Sequence, residues 1–263
     1  MEQELAGKTA FVSGSTQGIG YAIAAALLRQ GASVVINGRS EERVETAAAS
    51  LRAEVPGADV GGIPADFGDA AQVDRLTEAM AGTDILVNNV GVFELKEFAE
   101  ISDAEWARYV DVNLMSGVRS ARAALPGMLE RGWGRILFVA SESGIDVPAD
   151  MIHYGVTKAA TIALGNGLAK LTRGTGVTVN SILGGPTYSH GVAETVAAIA
   201  TAQGVPVEDL KAAIAAGNQT SLLQRFIEPD EIAHLAAYLA SPRSSATNGA
   251  ALRADGGTLT TML

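Results

Sequence analysis

The short apolar run from Thr9 to Ser13 passes straight into the glycine-rich turn Ser13-Gly14-Ser15-Thr16-Gln17-Gly18-Ile19-Gly20 and then into an Ala- and Leu-rich helical pattern. Glycines let the chain turn sharply, and they let an anion approach the free N–H groups and positive dipole end of the helix that follows. The same alternation continues along the chain. Strands are predicted at Thr9 to Ser13, Ser33 to Asn37, Val60 to Ala65, Ile85 to Asn88, Arg135 to Ala140, Val177 to Ile182 and Ala250 to Arg253. Helical periodicity fills the intervals, near Gly18 to Gln30, Glu41 to Glu54, Ala70 to Ala81, Asp103 to Arg131, Ile152 to Arg173 and Pro229 to Leu239. Right-handed crossovers then build a doubly wound, seven-stranded parallel sheet with helices on both faces. One α/β domain over residues 1–263 is expected. The segment from Tyr188 to Gln224 breaks the rhythm with two short helical patterns, and is expected to form a lid over a ligand.

Composition narrows the partners. A net charge of −10 disfavours nucleic acid, whose phosphates are held by clustered Lys and Arg. The acidic start and short apolar runs predict neither an export signal nor a membrane span. The mean hydropathy of +0.20 therefore reads as a well-filled interior. With no cysteine there is no disulfide, thiolate ligand or cysteine nucleophile, which fits a reducing, cytoplasmic compartment. His153, His190 and His234 have no metal-site spacing, so no metal is expected. His153 and His190 are candidates to line a pocket.

Two further patterns carry chemistry. The second strand ends in Asn37-Gly38-Arg39-Ser40, with no carboxylate to bind a ribose 2′-hydroxyl and an arginine able to fork onto a 2′-phosphate; NADP(H) is therefore favoured over NAD(H). Tyr154 and Lys158 stand four apart at the start of a helical pattern, on one face. An ammonium beside a phenol is expected to lower the phenol pKa from about 10 and make it a usable proton carrier.

On these motifs together the chain resembles the short-chain dehydrogenase/reductase family, whose fold is of the Rossmann type. Gly14, Gly18 and Gly20 match its cofactor turn, and Asn88-Asn89-Val90-Gly91 its Asn-Asn-Ala-Gly. Asn113, Ser141, Tyr154 and Lys158 match its catalytic residues, and Asp255-Gly256-Gly257 its closing turn. The resemblance implies that Tyr154 exchanges a proton with the substrate oxygen and Ser141 hydrogen-bonds that oxygen. Lys158 would hold the nicotinamide ribose, and Asn113 a water that resupplies the proton. It further implies cofactor contacts from Ser15, Thr16, Ile19, Asp66, Phe67, Asn89, Gly91, Thr187 and Ser189.

Substrate contacts are expected from Ser141, Ser143, Ile145, Tyr154 and Tyr188, with Phe93, Val147 and Met151 on neighbouring loops. Three departures stand out: Ser13 for threonine, Val90 for alanine, and Gly184 for the proline that stiffens the loop after strand six.

The expected activity is NADP(H)-dependent hydride transfer between nicotinamide and a carbonyl or secondary alcohol, in the direction of ketone reduction. The alternatives are an NAD-dependent alcohol, sugar or steroid dehydrogenase, and a non-catalytic dinucleotide-binding sensor or scaffold. Carrier-bound acyl chains are disfavoured because an acidic carrier meets a chain at −10, unless Arg119, Arg122 and Arg173 form a basic patch. A small-molecule substrate is expected, and the resemblance implies a homo-oligomer, a dimer or tetramer, built through the fourth and fifth long helices.

Overall fold

The computed structural model describes residues 3–262. Seven strands, β1 (Thr9–Val12), β2 (Ser33–Gly38), β3 (Val60–Pro64), β4 (Ile85–Asn88), β5 (Trp133–Val139), β6 (Gly176–Gly184) and β7 (Ala251–Ala254), form one sheet in the order β3-β2-β1-β4-β5-β6-β7. Every pairing is parallel. Parallel strands need crossovers, and the helices that supply them cover both faces. Alternate residues of each strand accordingly enter opposite cores. Ala10, Val12, Ile85, Val87, Leu137 and Val139 pack under α1 (Gly18–Arg29), α2 (Glu41–Glu54) and α9 (Pro229–Ala240). Phe11, Leu86, Ile136 and Phe138 meet α3 (Ala70–Ala81) and α5 (Ser116–Arg131) on the other face. Alanines on α1 and α9, among them Ala22, Ala25, Ala233 and Ala236, let those two helices approach closely.

The chain runs outward from β1 to β3, returns to β4, and continues outward the other way. Loops at the carboxyl ends of β1 and β4 therefore diverge, leaving a crevice where ligands of open α/β sheets bind. Ser13 ties the two strand ends together. Its hydroxyl donates to Val87 O at 3.3 Å and accepts from Asn89 N at 2.9 Å, so serine retains the bonding role of the threonine it replaces.

The predicted Asp103 to Arg131 helix is observed as α4 (Asp103–Tyr109) and α5 joined by a π-helical turn, Val110–Met115. Ser102 and Glu105 form a capping box that starts α4. The wide turn that follows holds Asn113. Beyond β5, α6 (Ile152–Ala169) is followed by a single 3-10 turn to Thr172. The expected lid contains α7 (His190–Gln203) and α8 (Val207–Gly217), matching the two short helical patterns of the sequence. No helix among the described residues is long and apolar enough to cross a membrane.

The Gly20 position has no room for a side chain: a Cβ there would lie 2.4 Å from Gly14 O and 2.6 Å from Asn89 Nδ2. Gly20→Ala is expected to cost about 1–3 kcal/mol, read as a drop of several degrees in thermal melting. Gly217→Ala, at an open helix end, should leave melting unchanged or raise it slightly.

Candidate active site

The crevice divides into two connected hollows that share Asn89 and Gly91. The first, about 520 Å³, runs from the glycine turn past the end of β2. Gly14 and Gly18 adopt positive φ, 59° and 60°, which bends the backbone into the turn. Asn89 holds that turn by donating to Gly14 O at 2.9 Å and Ser13 O at 3.2 Å. Val90 packs on Gly14, its Cγ2 only 3.1 Å from where a Cβ would stand, so the extra bulk relative to alanine is accommodated by glycine. Ser15 lies behind the turn: its amide donates to Asn37 O at 2.8 Å and its hydroxyl to Val12 O at 2.6 Å, so it shapes the loop rather than facing the hollow.

At the end of β2, a Cβ on Gly38 would lie 2.4 Å from Thr16 Cγ2, so a side chain there would require Thr16 to shift. Arg39 lines the hollow as expected, and so does Arg43 one helical turn on, which the sequence reading did not single out. Both are exposed, and among the described residues neither forms an ion pair. Asp66 and Phe67 lie on the opposite wall. The glycine cradle and the helix start behind it fit the pyrophosphate of a nicotinamide dinucleotide.

The second hollow, about 370 Å³, holds Ile19, Ser141, Ser143, Tyr154, Lys158, Thr187 and Ser189. It is built by close contact between the loop after β5 and α6. A Cβ on Gly144 would lie 2.8 Å from Lys158 C, and one on Gly155 2.7 Å from Ser143 O. The loop therefore presses Ser141 toward the Tyr154 and Lys158 face of α6. Phe93 caps the phenol edge-on, with ring centroids 6.3 Å apart.

Lys158 is 5% exposed, and its Nζ donates to Val139 O at 2.8 Å. Burial brings its ammonium down to about 8, against the opposing charge of Glu142. The same burial pushes the Tyr154 phenol up to about 12; Ser141 offsets part of this, while Glu142 and Tyr109 add to it. This reverses the expected lowering. Desolvation outweighs the neighbouring ammonium, whose charge is directed at the Val139 carbonyl. The free protein thus holds Tyr154 as an acid.

Asn113 is buried, but its side chain is fully committed. Oδ1 accepts from Val92 N at 2.7 Å, and Nδ2 donates to Val92 O and Thr157 Oγ1, each at 3.0 Å. Its backbone carbonyl accepts from Thr161 Oγ1 at a long 3.4 Å, so the carbonyl is the atom through which Asn113 would hold a water. The loop after β6 is not loosened by Gly184. Ile227 N donates to Pro186 O and Tyr188 N to Ile227 O, both at 2.8 Å, and Thr187 Oγ1 reaches Gly185 O at 2.8 Å.

Several of the expected substrate-contact residues lie outside the lining of this hollow. Ile145 faces a separate hollow between α6 and β7. Tyr188 is not among the residues lining the hollow; its ring packs at a tilt on Phe226, centroids 5.5 Å apart, with Lys211 Nζ 3.8 Å from its ring centre. Val147 packs against Gly155, whereas Met151 does reach the hollow. His153 is buried against the Tyr109 ring, centroids 3.9 Å apart, and His190 pairs with Glu194 at 3.2 Å on the lid surface. These side chains obey apolar packing and local pairing, which spacing along the chain does not reveal. Glu142, between Ser141 and Ser143, lines the hollow and was missed; only its adjacency to Ser141 signalled it.

Comparison with known proteins agrees with this geometry. The family model described as enoyl-(acyl carrier protein) reductase matches residues 14–259. An uncharacterised oxidoreductase of Bacillus subtilis, YvaG, is 44% identical over 98% of both chains. The D-beta-hydroxybutyrate dehydrogenase of Cupriavidus necator is 36% identical over 96% of this chain and 98% of its own. L-sorbose reductase from Gluconobacter frateurii, solved with NADPH and L-sorbose, superposes with a TM-score of 0.93 at 31% identity, covering all of both chains. With the parallel sheet, the glycine turn and the Tyr154–Lys158 face already in place, these matches show that the chain belongs to the short-chain dehydrogenase/reductase family of oxidoreductases acting on CH–OH and C=O groups.

Proposed function

We propose that this enzyme reduces a small, uncharged ketone with NADPH. The observation that carries this reading is the half-buried Tyr154 hydroxyl, kept protonated at neutral pH in the crevice and so poised to give a proton to a carbonyl oxygen. NADPH, when bound, supplies the hydride. Gly14, Thr16, Gly18 and Ile19 would hold its phosphates, Arg39 and Arg43 the 2′-phosphate, and Asp66 and Phe67 the adenine. Lys158 would hold the nicotinamide ribose, with Thr187 and Ser189 at the carboxamide. Tyr154 donates its proton to the carbonyl oxygen as that oxygen gains charge, and Ser141 steadies it.

The preference for NADPH is supported by Gly38, which carries no carboxylate, by the two arginines, and by the NADPH-bound sorbose reductase. An uncharged substrate is supported by Glu142 in the hollow, where Lys158 is the sole cation among the lining residues. A substrate carboxylate such as that of hydroxybutyrate would find no arginine among the lining residues to pair with it. A carrier-bound acyl chain is disfavoured further, since Arg119 is neutralised by Asp111 at 2.7 Å. The intact Asn113, Ser141, Tyr154 and Lys158 set weighs against a scaffold without turnover.

The same reading makes the 188–224 segment a lid hinged at Thr187 and Ser189, with Val192 facing the hollow. It also makes the molecule a cytoplasmic homo-oligomer, a dimer or tetramer, supported by the exposed Val156 and Leu171 on and beyond α6.

Oxidation of NADPH, followed by absorbance with a panel of neutral ketones, sugars and oxo acids, should show turnover confined to uncharged carbonyls; failure of every neutral carbonyl would refute the reading. Tyr154→Phe should lower turnover by about 10²–10⁴-fold while NADPH affinity, read by fluorescence, stays within twofold. Arg39→Ala should weaken NADPH at least tenfold and leave NADH unaffected. Lys158 loses its charge above its pKa of about 8, so kcat/KM for reduction should fall as pH rises past about 8.

A further inference from the structure

The half-buried carboxyl of Glu142 has no part in the mechanism above, yet it touches the hydroxyl that the mechanism uses. Glu142 Oε2 accepts the Ser141 hydroxyl at 2.5 Å, and Oε1 stands 3.5 Å from Ser143 Oγ. Ser141 Oγ in turn accepts from Ser143 N at 3.2 Å. A serine hydroxyl has one proton to give. In this arrangement that proton points at Glu142, so the Ser141 oxygen offers only lone pairs to whatever occupies the hollow.

We propose that Glu142 is a positioning residue whose own proton decides whether Ser141 can donate a hydrogen bond to the reacting oxygen. The inference rests on the carbonyl-reduction reading. When Glu142 is ionised, it draws the Ser141 proton toward itself, and the developing alkoxide has Tyr154 as its donor but not Ser141. When Glu142 carries a proton, its O–H turns to Ser141 Oγ and frees the Ser141 hydrogen for the substrate oxygen. Glu142 keeps its proton throughout; the proton that ends on the product leaves Tyr154.

The setting favours the protonated carboxyl. Burial raises the Glu142 pKa, and Asp255, from the turn after β7, raises it further, although Asp255 is itself engaged by Arg253, Gly257 N and Leu259 N. From α6 it is faced by Tyr154 and by Lys158, whose charge opposes the rise. Hydrogen bonds from Ser141 and the nearby backbone also oppose it.

The test compares pH profiles of kcat/KM for reduction of a neutral ketone in wild type, Glu142→Gln, Ser141→Ala and the double variant. The Gln amide keeps the side-chain shape, can donate to Ser141 and does not titrate. Wild type should fall at least tenfold, to a lower plateau, as Glu142 ionises below the Lys158 limb. Glu142→Gln should keep the upper level across that range, and the difference between Glu and Gln should vanish in the Ser141→Ala background. An unaltered profile in Glu142→Gln, or a difference that survives without Ser141, would overturn the proposal.

A second readout needs no turnover. In protein labelled with ¹³C at glutamate carboxyls, the resonance missing from Glu142→Gln should titrate above the ordinary carboxylate range, and Ser141→Ala should move its midpoint upward. An unmoved midpoint also overturns the proposal. If the titration behaves as expected while every carbonyl is refused by protein that still binds NADPH, the fault lies with the reduction reading and not with the Glu142–Ser141 coupling.

Discussion

Desolvation of one face of α6 is the constraint on which the site depends. Tyr154 and Lys158 are carried into the junction between the sheet end and the loop after β5, where Lys158 is buried and Tyr154 half-buried. A lysine brought from 10.5 to about 8 is disfavoured as an ammonium by about 3 kcal/mol, since each pKa unit is worth about 1.4 kcal/mol. The fold bears that cost at neutral pH, and it is relieved as pH rises from about 8 through the amine's ordinary range. A bond to the Val139 carbonyl offsets part of it. The return is a phenol that keeps its proton until a substrate oxygen accumulates charge.

The scaffold around this face is built to bring backbone close to backbone. Gly144 and Gly155 admit the β5 loop against α6, Gly20 admits the turn against Asn89, and Gly185 admits the β6 loop against Asp255. Polar side chains then fasten strand ends that apolar packing alone would leave free: Ser13 joins β1 to β4, Asn37 joins β2 to the glycine turn, and Asn113 joins the π-helical turn to Val92 and α6. Each of these buried groups is satisfied, which is what makes its burial tolerable. The crevice is therefore shaped by hydrogen bonds that hold its walls and by glycines that set its depth.

Much of this was legible in the sequence. Strand and helix periodicity located all seven strands to within two residues at each end, and α2 and α3 to the residue, because inner strands covered on both faces are largely apolar and a helix end is marked by its cap. The catalytic side chains were legible because their spacing puts them on one helix face. What escaped is governed by contacts between distant segments. The π-helical turn interrupts a helix whose periodicity reads as continuous. Ile145 and Tyr188 carry the right chemistry on the right loops, yet turn to other neighbours. Direction, unlike spacing, is set by packing. The sign of the Tyr154 shift was missed for the same reason: charge is visible in a sequence, and the depth at which it is buried is not.

The protonation of Tyr154 in the free protein tests this account most directly. Of the five tyrosines, the one lost in Tyr154→Phe can be followed alone by difference, using the absorbance of tyrosinate or a ¹³C label at the phenol carbon across an alkaline titration. The account predicts that this phenol stays neutral well past pH 10 and ionises near 12. Ionisation at or below the ordinary value of about 10 would contradict it, because the neighbouring ammonium, not burial, would then control the proton.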